Sequence, residues 1–276
     1  MGKAVQKFVA AGGCSFRITD TGGDGCPLVL LHGYLESSDV WEDFIPLFSD
    51  RCRVIAPDLP GHGISEVKGP VHTMEFLADT VKALLDKLNI AQAVVAGHSM
   101  GGYAALEFLH RHPDSTAGLI LLHSTPDPDG EAKKADRLRE ENLVLAGRKE
   151  LLCMTVAKGF AAENRVRLAD RIEELADQIT LTDDDGIVAL LRGMSGRSDR
   201  NETLRRSKAP QMFVFGLKDE HIPAEKAQAI AEAHPQARIV WLENSGHMGF
   251  MEEPQRTADA ITDFCCGICA KSGTDR

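Results

Sequence analysis

Three residues far apart in the chain have the types needed to attack a carbonyl carbon: Ser99, Asp219 and His247. Ser99 is the centre of Gly97-His98-Ser99-Met100-Gly101, a G-x-S-x-G pattern between an apolar run and a helical one. That setting predicts a sharp strand-to-helix turn with the serine hydroxyl at its apex. Flanking glycines suit such a turn, because a side chain at 97 or 101 would be crowded as strand and helix close together. A serine hydroxyl is a weak nucleophile and needs a base within hydrogen-bond reach. Of ten histidines, His247 in "NSGHMGFMEEP" has the best placement. It follows the last apolar run and precedes the closing helix, so its loop returns to the edge that carries Ser99. His221 and His123 are the alternatives. The base in turn needs an orienting carboxylate. Asp219, in "VFGLKDEHIP", stands 28 residues earlier (247 − 219), room for one helix and one strand. Glu220 and Asp127 are the alternatives here. A tetrahedral intermediate also needs two N–H donors. Met100, directly after the serine, supplies one, and Tyr34, directly after His32-Gly33, supplies the other.

These residues must be positioned by a sheet. "PLVLLHG" (27–33), "CRVIAPD" (52–58), "AQAVVAG" (91–97), "TAGLILLHS" (116–124), "PQMFVFG" (210–216) and "ARIVWLE" (237–243) are continuous apolar runs. Such runs read as strands buried on both faces. "KFVAAGG" and "CSFRITDTGGDG" form a hairpin with glycines in its turns. Helical spacing fills the gaps, over "SDVWEDFIPLFSD", over 73–90, after Ser99, and from about Glu253 to Ile268. Strands separated by helices imply parallel crossovers in an α/β sheet covered on both faces. Between Thr125 and Lys208 the buried strands stop, and four charged, amphipathic helical stretches replace them. The expected organisation is therefore a core of 1–124 with 209–276 and a helical cap of 125–208. A cap placed there lies over the carboxyl edge of the sheet, where open α/β sheets bind ligands. Met154, Phe160, Ile187 and Met194 are its candidates for a substrate wall, with packing of cap on core as the alternative role.

Bulk properties narrow the function. The chain has 276 residues and a formal net charge of −10, from 31 basic and 41 acidic residues. An acidic chain lacks the basic face that phosphate contacts need, so no nucleic-acid partner is expected. No apolar run reaches the about 18 residues of a spanning helix, and no membrane partner is expected. The amino-terminal apolar stretch, Phe8 to Ala11, is shorter than the core of a signal peptide. Gln6 also breaks the myristoylation pattern. The segment is expected as an edge strand, and the protein as cytoplasmic. The seven cysteines include the cluster "CCGICA". Its Cys266 and Cys269 have no second ligand pair nearby in sequence, so the cluster reads as small apolar residues on the last helix and no metal is expected. Oligomeric state is left open.

The chain resembles the α/β-hydrolase superfamily at "LLHGYLESSDVW", "VIAPDLPGHGIS", "AGHSMGGYAAL", "VFGLKDEHIP" and "SGHMGFMEEP", in that order. The resemblance implies an α/β-hydrolase fold with a mostly parallel eight-stranded sheet under a helical cap. It also implies a Ser99-His247-Asp219 triad, an oxyanion hole of the Tyr34 and Met100 amides, and no metal or organic cofactor. Within the superfamily, the serine at 99 argues against the epoxide hydrolase and dehalogenase branches, which place Asp there. Tyr103 stands where the menaquinone-pathway lyase typically has arginine. The expected activity is cleavage of an ester, or a similar activated acyl bond, in a small to medium apolar substrate. A C–C bond hydrolase or lyase with the same triad, and a small-molecule receptor with little turnover, are the alternatives.

Overall fold

Apolar residues at every position of the central strands bury both faces of one sheet, and alternation sorts them between its two sides. Leu28 and Leu30 join one cluster of buried residues, and Val29 and Leu31 join the other. The computed structural model describes residues 5–273, without the side chains of 49–50 and 271–273. The part of the amino-terminal reading that rests on residues 1–4 lies outside the described residues.

The strands are β1 (Val5–Ala11), β2 (Cys14–Asp20), β3 (Cys26–Leu31), β4 (Cys52–Pro57), β5 (Ala93–His98), β6 (Thr116–Leu122), β7 (Gln211–Gly216) and β8 (Arg238–Leu242). They form one eight-stranded sheet in the order β1-β2-β4-β3-β5-β6-β7-β8. β1 with β2, and β2 with β4, are antiparallel, and every other pair is parallel. β1 is the expected edge strand, largely exposed. This is the α/β-hydrolase fold that the family resemblance implies.

α1 (Met74–Lys87) and α2 (Met100–Arg111) cover one face, and α10 (Pro254–Gly273) covers the other. Thr73 caps α1 by accepting the Phe76 N–H at 3.1 Å. α8 (Ala224–Ala233) links β7 to β8, and the single-turn α9 (Gly249–Glu252) precedes α10. The helix expected over "SDVWEDFIPLFSD" is instead two 3₁₀ stretches, Ser38–Trp41 and Ile45–Arg51. Pro46 is the reason, because its ring lacks an N–H and starts a new helical segment rather than continuing one. Trp41, Phe44 and Phe48 are nevertheless buried as the spacing required.

Between β6 and β7 lie only helices: α3 (Glu131–Leu145), α4 (Glu150–Cys153), α5 (Ala169–Leu181), α6 (Asp184–Ser195) and α7 (Asn201–Arg206). α6 is the root of this insertion. His72 N–H donates to Ala189 O at 2.9 Å, and a side chain at Gly186 would strike the Gly61 backbone. The close approach of those two glycines seats α6 on the loop after β4. α3 and α5 sit farther out, and Leu138, Leu145, Val166 and Leu181 are exposed. No helix among the described residues is long and apolar enough to cross a membrane.

Candidate active site

The parallel strands place their carboxyl ends on one edge, and the loops that leave that edge carry the candidate residues. β5 ends at His98, and Ser99 follows with φ 49° and ψ −113°. Left-handed backbone is uncommon for a residue with a Cβ and persists where the surroundings over-determine it. Here they do. A Cβ on Gly97 would meet the Gly101 carbonyl, and one on Gly101 would meet the Leu31 carbonyl. Strand and helix therefore approach as closely as the flanking glycines suggested, with Ser99 at the bend.

Asp219 follows β7 and His247 follows β8. The His247 Nδ1–H donates to Asp219 Oδ2 at 2.8 Å. Oδ1 of the same carboxylate accepts the His221 and Ile222 amides at 2.7 and 3.0 Å. Burial alone would raise the Asp219 pKa, but the His247 and His123 imidazoles outweigh it and hold the carboxyl well below its usual range. Burial pushes His247 below the ordinary 6.5 against the pull of Asp219. His247 is thus neutral at pH 7, as a base must be. His247 and Ser99 open on the same cavity. Of the alternative acids, Glu220 pairs with Arg165 at 3.2 Å, and Asp127 is held by Asn201 and Thr125.

The loop after β3 supplies backbone donors. Gly33 N–H donates to Glu36 Oε2 at 2.6 Å and Leu35 N–H to His62 Nε2 at 2.9 Å. The Tyr34 N–H between them has no acceptor among the described residues, and Tyr34 lines the cavity. Met100 is the first residue of α2, so its amide is one of the helix's unpaired N–H groups.

Glu36 and His98 were not assigned a part by the sequence. His98 Nε2 lies 2.9 Å from the His247 carbonyl and Nδ1 3.0 Å from Glu36. Both partners accept, so both ring nitrogens donate and His98 is an imidazolium facing a carboxylate. Burial opposes each charge, yet the pair raises His98 and lowers Glu36. This buried pair ties the Tyr34 loop to the His247 backbone. An acid in "HGYLESS" gives no sign in the sequence that it will be buried. Glu252 fixes the His247 loop from below, accepting Gly246 N–H at 2.7 Å and, from the insertion, Ala161 N–H at 2.7 Å.

His123, Asp219 and His247 bring three ligand atoms within 4.8 Å of one another. The Nδ1 atoms of both imidazoles face the one Asp219 carboxylate. His123 Nε2 accepts the Gly249 N–H at 3.2 Å, which places the His123 proton on Nδ1, 3.5 Å from Asp219. The His221 ring is 4.7 Å from His247 and is pushed down to about 4, first by that imidazole and then by burial. His234, which ends α8, is fully buried and bonded to Asn201 of α7 at 2.8 Å.

The cavity has a volume of about 340 Å³. Phe160 and Met194 line it. Met154 and Ile187 do not. Met154 is 75% exposed, and Leu152, two residues and roughly 200° earlier around the helix, faces inward instead. Ile187 shares a helical face with Met194 but lies about 10 Å farther along the axis, inside the core. Beyond the apolar wall, the cavity reaches Asp129, buried between Arg137 and Arg197. The Arg197 guanidinium lies 3.9 Å above the Tyr103 ring.

A sequence profile described as alpha/beta hydrolase fold matches residues 27–254. A pimeloyl-[acyl-carrier protein] methyl ester esterase of Aeromonas hydrophila is 29% identical over 257 residues, covering 88% of this chain and 96% of its own. The dihydrolipoyllysine-residue acetyltransferase component of the acetoin cleaving system of Pseudomonas putida is 33% identical over 270 residues, covering 95% of this chain and 70% of its own. Among solved structures, a thermophilic esterase from Thermogutta terrifontis superposes with a TM-score of 0.88 at 29% identity, covering 96% of this chain and 99% of its own.

Proposed function

The chain belongs to the alpha/beta hydrolase fold family, and on that premise we propose that it is a serine esterase acting through an acyl-enzyme on small to medium substrates. One observation carries the reading. Ser99 stands on a left-handed turn that opens on the same cavity as His247, whose Nδ1 is bound to a buried, ionised Asp219. In this reading Ser99 Oγ attacks the ester carbonyl, and neutral His247 takes its proton through Nε2. Asp219 holds the ring and stabilises the cation that forms. The Tyr34 and Met100 amides receive the charge that develops on the carbonyl oxygen. His247 then protonates the departing alcohol and activates the water that releases the acid.

Residues 125–208 act as a cap over this edge, with Phe160 and Met194 against the substrate's apolar part. The ester reading is supported by the esterases of Aeromonas hydrophila and Thermogutta terrifontis, each 29% identical to this chain. The C–C hydrolase or lyase reading asks for a cation to hold an acidic substrate. Arg137 and Arg197 are both committed to Asp129 and Lys226 to Asp127, so only Lys133 of the cavity lining remains to hold such a substrate. p-Nitrophenyl esters of graded chain length test the proposal. Wild type is expected to turn over short to medium acyl chains, and Ser99→Ala to lose at least about 10⁴-fold in kcat. Turnover that survives Ser99→Ala, or labelling by a fluorophosphonate anywhere else, would rule the mechanism out.

A further inference from the structure

The strands that carry the candidate site at their carboxyl ends begin, at the opposite edge, with cysteines. Cys26 opens β3 and Cys52 opens β4, and the two are direct partners in the parallel register. α10 crosses this edge and packs on β3. It brings Cys265 and Cys269, one turn apart on the same helical face, over the strand pair. Cys265 is in side-chain contact with both Cys26 and Cys52, and Cys26 also meets Cys269. Four thiols from three elements thus converge, although only Cys266 and Cys269 form a recognisable spacing in sequence. All seven cysteines are free thiols.

Their exposures and acidities differ, and burial beside Cys26 pushes the Cys269 thiol up. Cys265 and Cys52 are buried, Cys26 is at 7% exposure, and Cys269 is open to solvent. Cys265 sits in mid-helix and is buried, whereas Cys269 lies one turn farther along α10 and is exposed. The Cys26 thiol is held below its ordinary value, to about 6, chiefly by a hydrogen bond with Cys265, so Cys26 is the better thiolate of the pair. No three of these sulfurs fall within 4.8 Å of one another among the described residues, so the cluster is wider than a tetrahedral metal site needs.

We propose that Cys26 and Cys269 form a redox site in which an oxidant of the peroxide class drives a disulfide between the start of β3 and the end of α10. Cys26, as thiolate, attacks a peroxide oxygen, breaks the O–O bond and becomes a sulfenic acid as water leaves. The Cys269 sulfur then attacks the Cys26 sulfur, forms the S–S bond, and its thiol proton leaves with the displaced hydroxyl as the second water. Two thiols lose two electrons, and hydrogen peroxide takes them up as two waters. The bond closes a loop of 243 residues (269 − 26) and pins the terminal helix to the sheet. It lies at the edge away from Ser99 and His247.

Thiol counting with peptide mapping tests this on the full chain. Protein treated with stoichiometric hydrogen peroxide is denatured, alkylated and digested with trypsin. The expected result is five alkylated thiols where the untreated chain has seven, with peptide 18–51 joined to 257–271. Cys26→Ser keeps six thiols before and after oxidation, whereas Cys269→Ser falls from six to five, with a dimedone-reactive sulfenic acid on Cys26. Oxidation raises the unfolding midpoint, dithiothreitol reverses it, and ester turnover changes less than about twofold. The proposal is overturned if seven thiols survive, if Cys269→Ser still loses two, or if the cross-link joins a different pair. Zinc retained at one per chain and shielding these thiols overturns it as well, in favour of a metal site.

Discussion

The sheet and the helical insertion between β6 and β7 are held together by different physics. In the sheet, the residues around Ser99 sit on backbone that cannot move without breaking ladders or striking carbonyls. The site there is further tied by buried hydrogen bonds from Glu36, His98, Asp219 and Glu252. The insertion buries few apolar side chains outside α6. In α3 only Arg137 and Val144 are buried, and in α5 only Leu175 and Ile179. Charge pairs do much of the fastening, with Asp129 gripped by Arg137 and Arg197, and Glu107 of α2 gripped by Arg200. One region is built to hold reacting atoms still, and the other to present an adjustable wall.

If that contrast is right, changes in the sheet alter chemistry and changes in the insertion alter fit. Asp219→Asn leaves the fold intact and lowers kcat by about 10⁴-fold, because the imidazole loses its orientation. Steady-state kinetics beside a circular dichroism spectrum check it. Asp129→Asn strands two guanidinium groups in a buried site and costs roughly 3–5 kcal/mol in denaturant unfolding. A loss below about 1 kcal/mol would mean the insertion is fastened by something else. The pH profile is the next test. His247 works as a neutral base, and burial lowers its pKa, so activity falls only as pH drops through a value below 6.5. Two units under that midpoint, kcat/KM is down about a hundredfold. A midpoint at or above 6.5 contradicts this. Phe160→Ala shifts the preferred acyl length and changes kcat/KM by about tenfold on the best substrate, in line with the energy of a few methylenes in a pocket. Met154→Ala is the control. Its side chain faces solvent, so activity stays within about twofold and stability within about 0.5 kcal/mol.

Much of the site was legible because its residues answer backbone requirements that show in sequence. Glycines at 97 and 101 mark the close approach of strand and helix, and loops after β7 and β8 return to one edge whatever their side chains do. Other features were opaque. Nothing in "HGYLESS" distinguishes a carboxylate that will be buried against His98 from one in solvent. Met154 and Leu152 are both apolar and differ only in which way the helix turns them. Pro46 was visible, yet the apolar spacing around it read as one continuous helix.

The chain's own order of residues determined the sheet, the position of the insertion and the turn at Ser99, since periodicity and crowding are local properties that neighbours along the chain already express. Tertiary structure alone decided the Glu36–His98 pair, the inward half of the insertion's apolar residues and the meeting of Cys26 with Cys269. Each depends on what a side chain meets from a distant segment, and on whether water is excluded there, which spacing along a sequence does not encode.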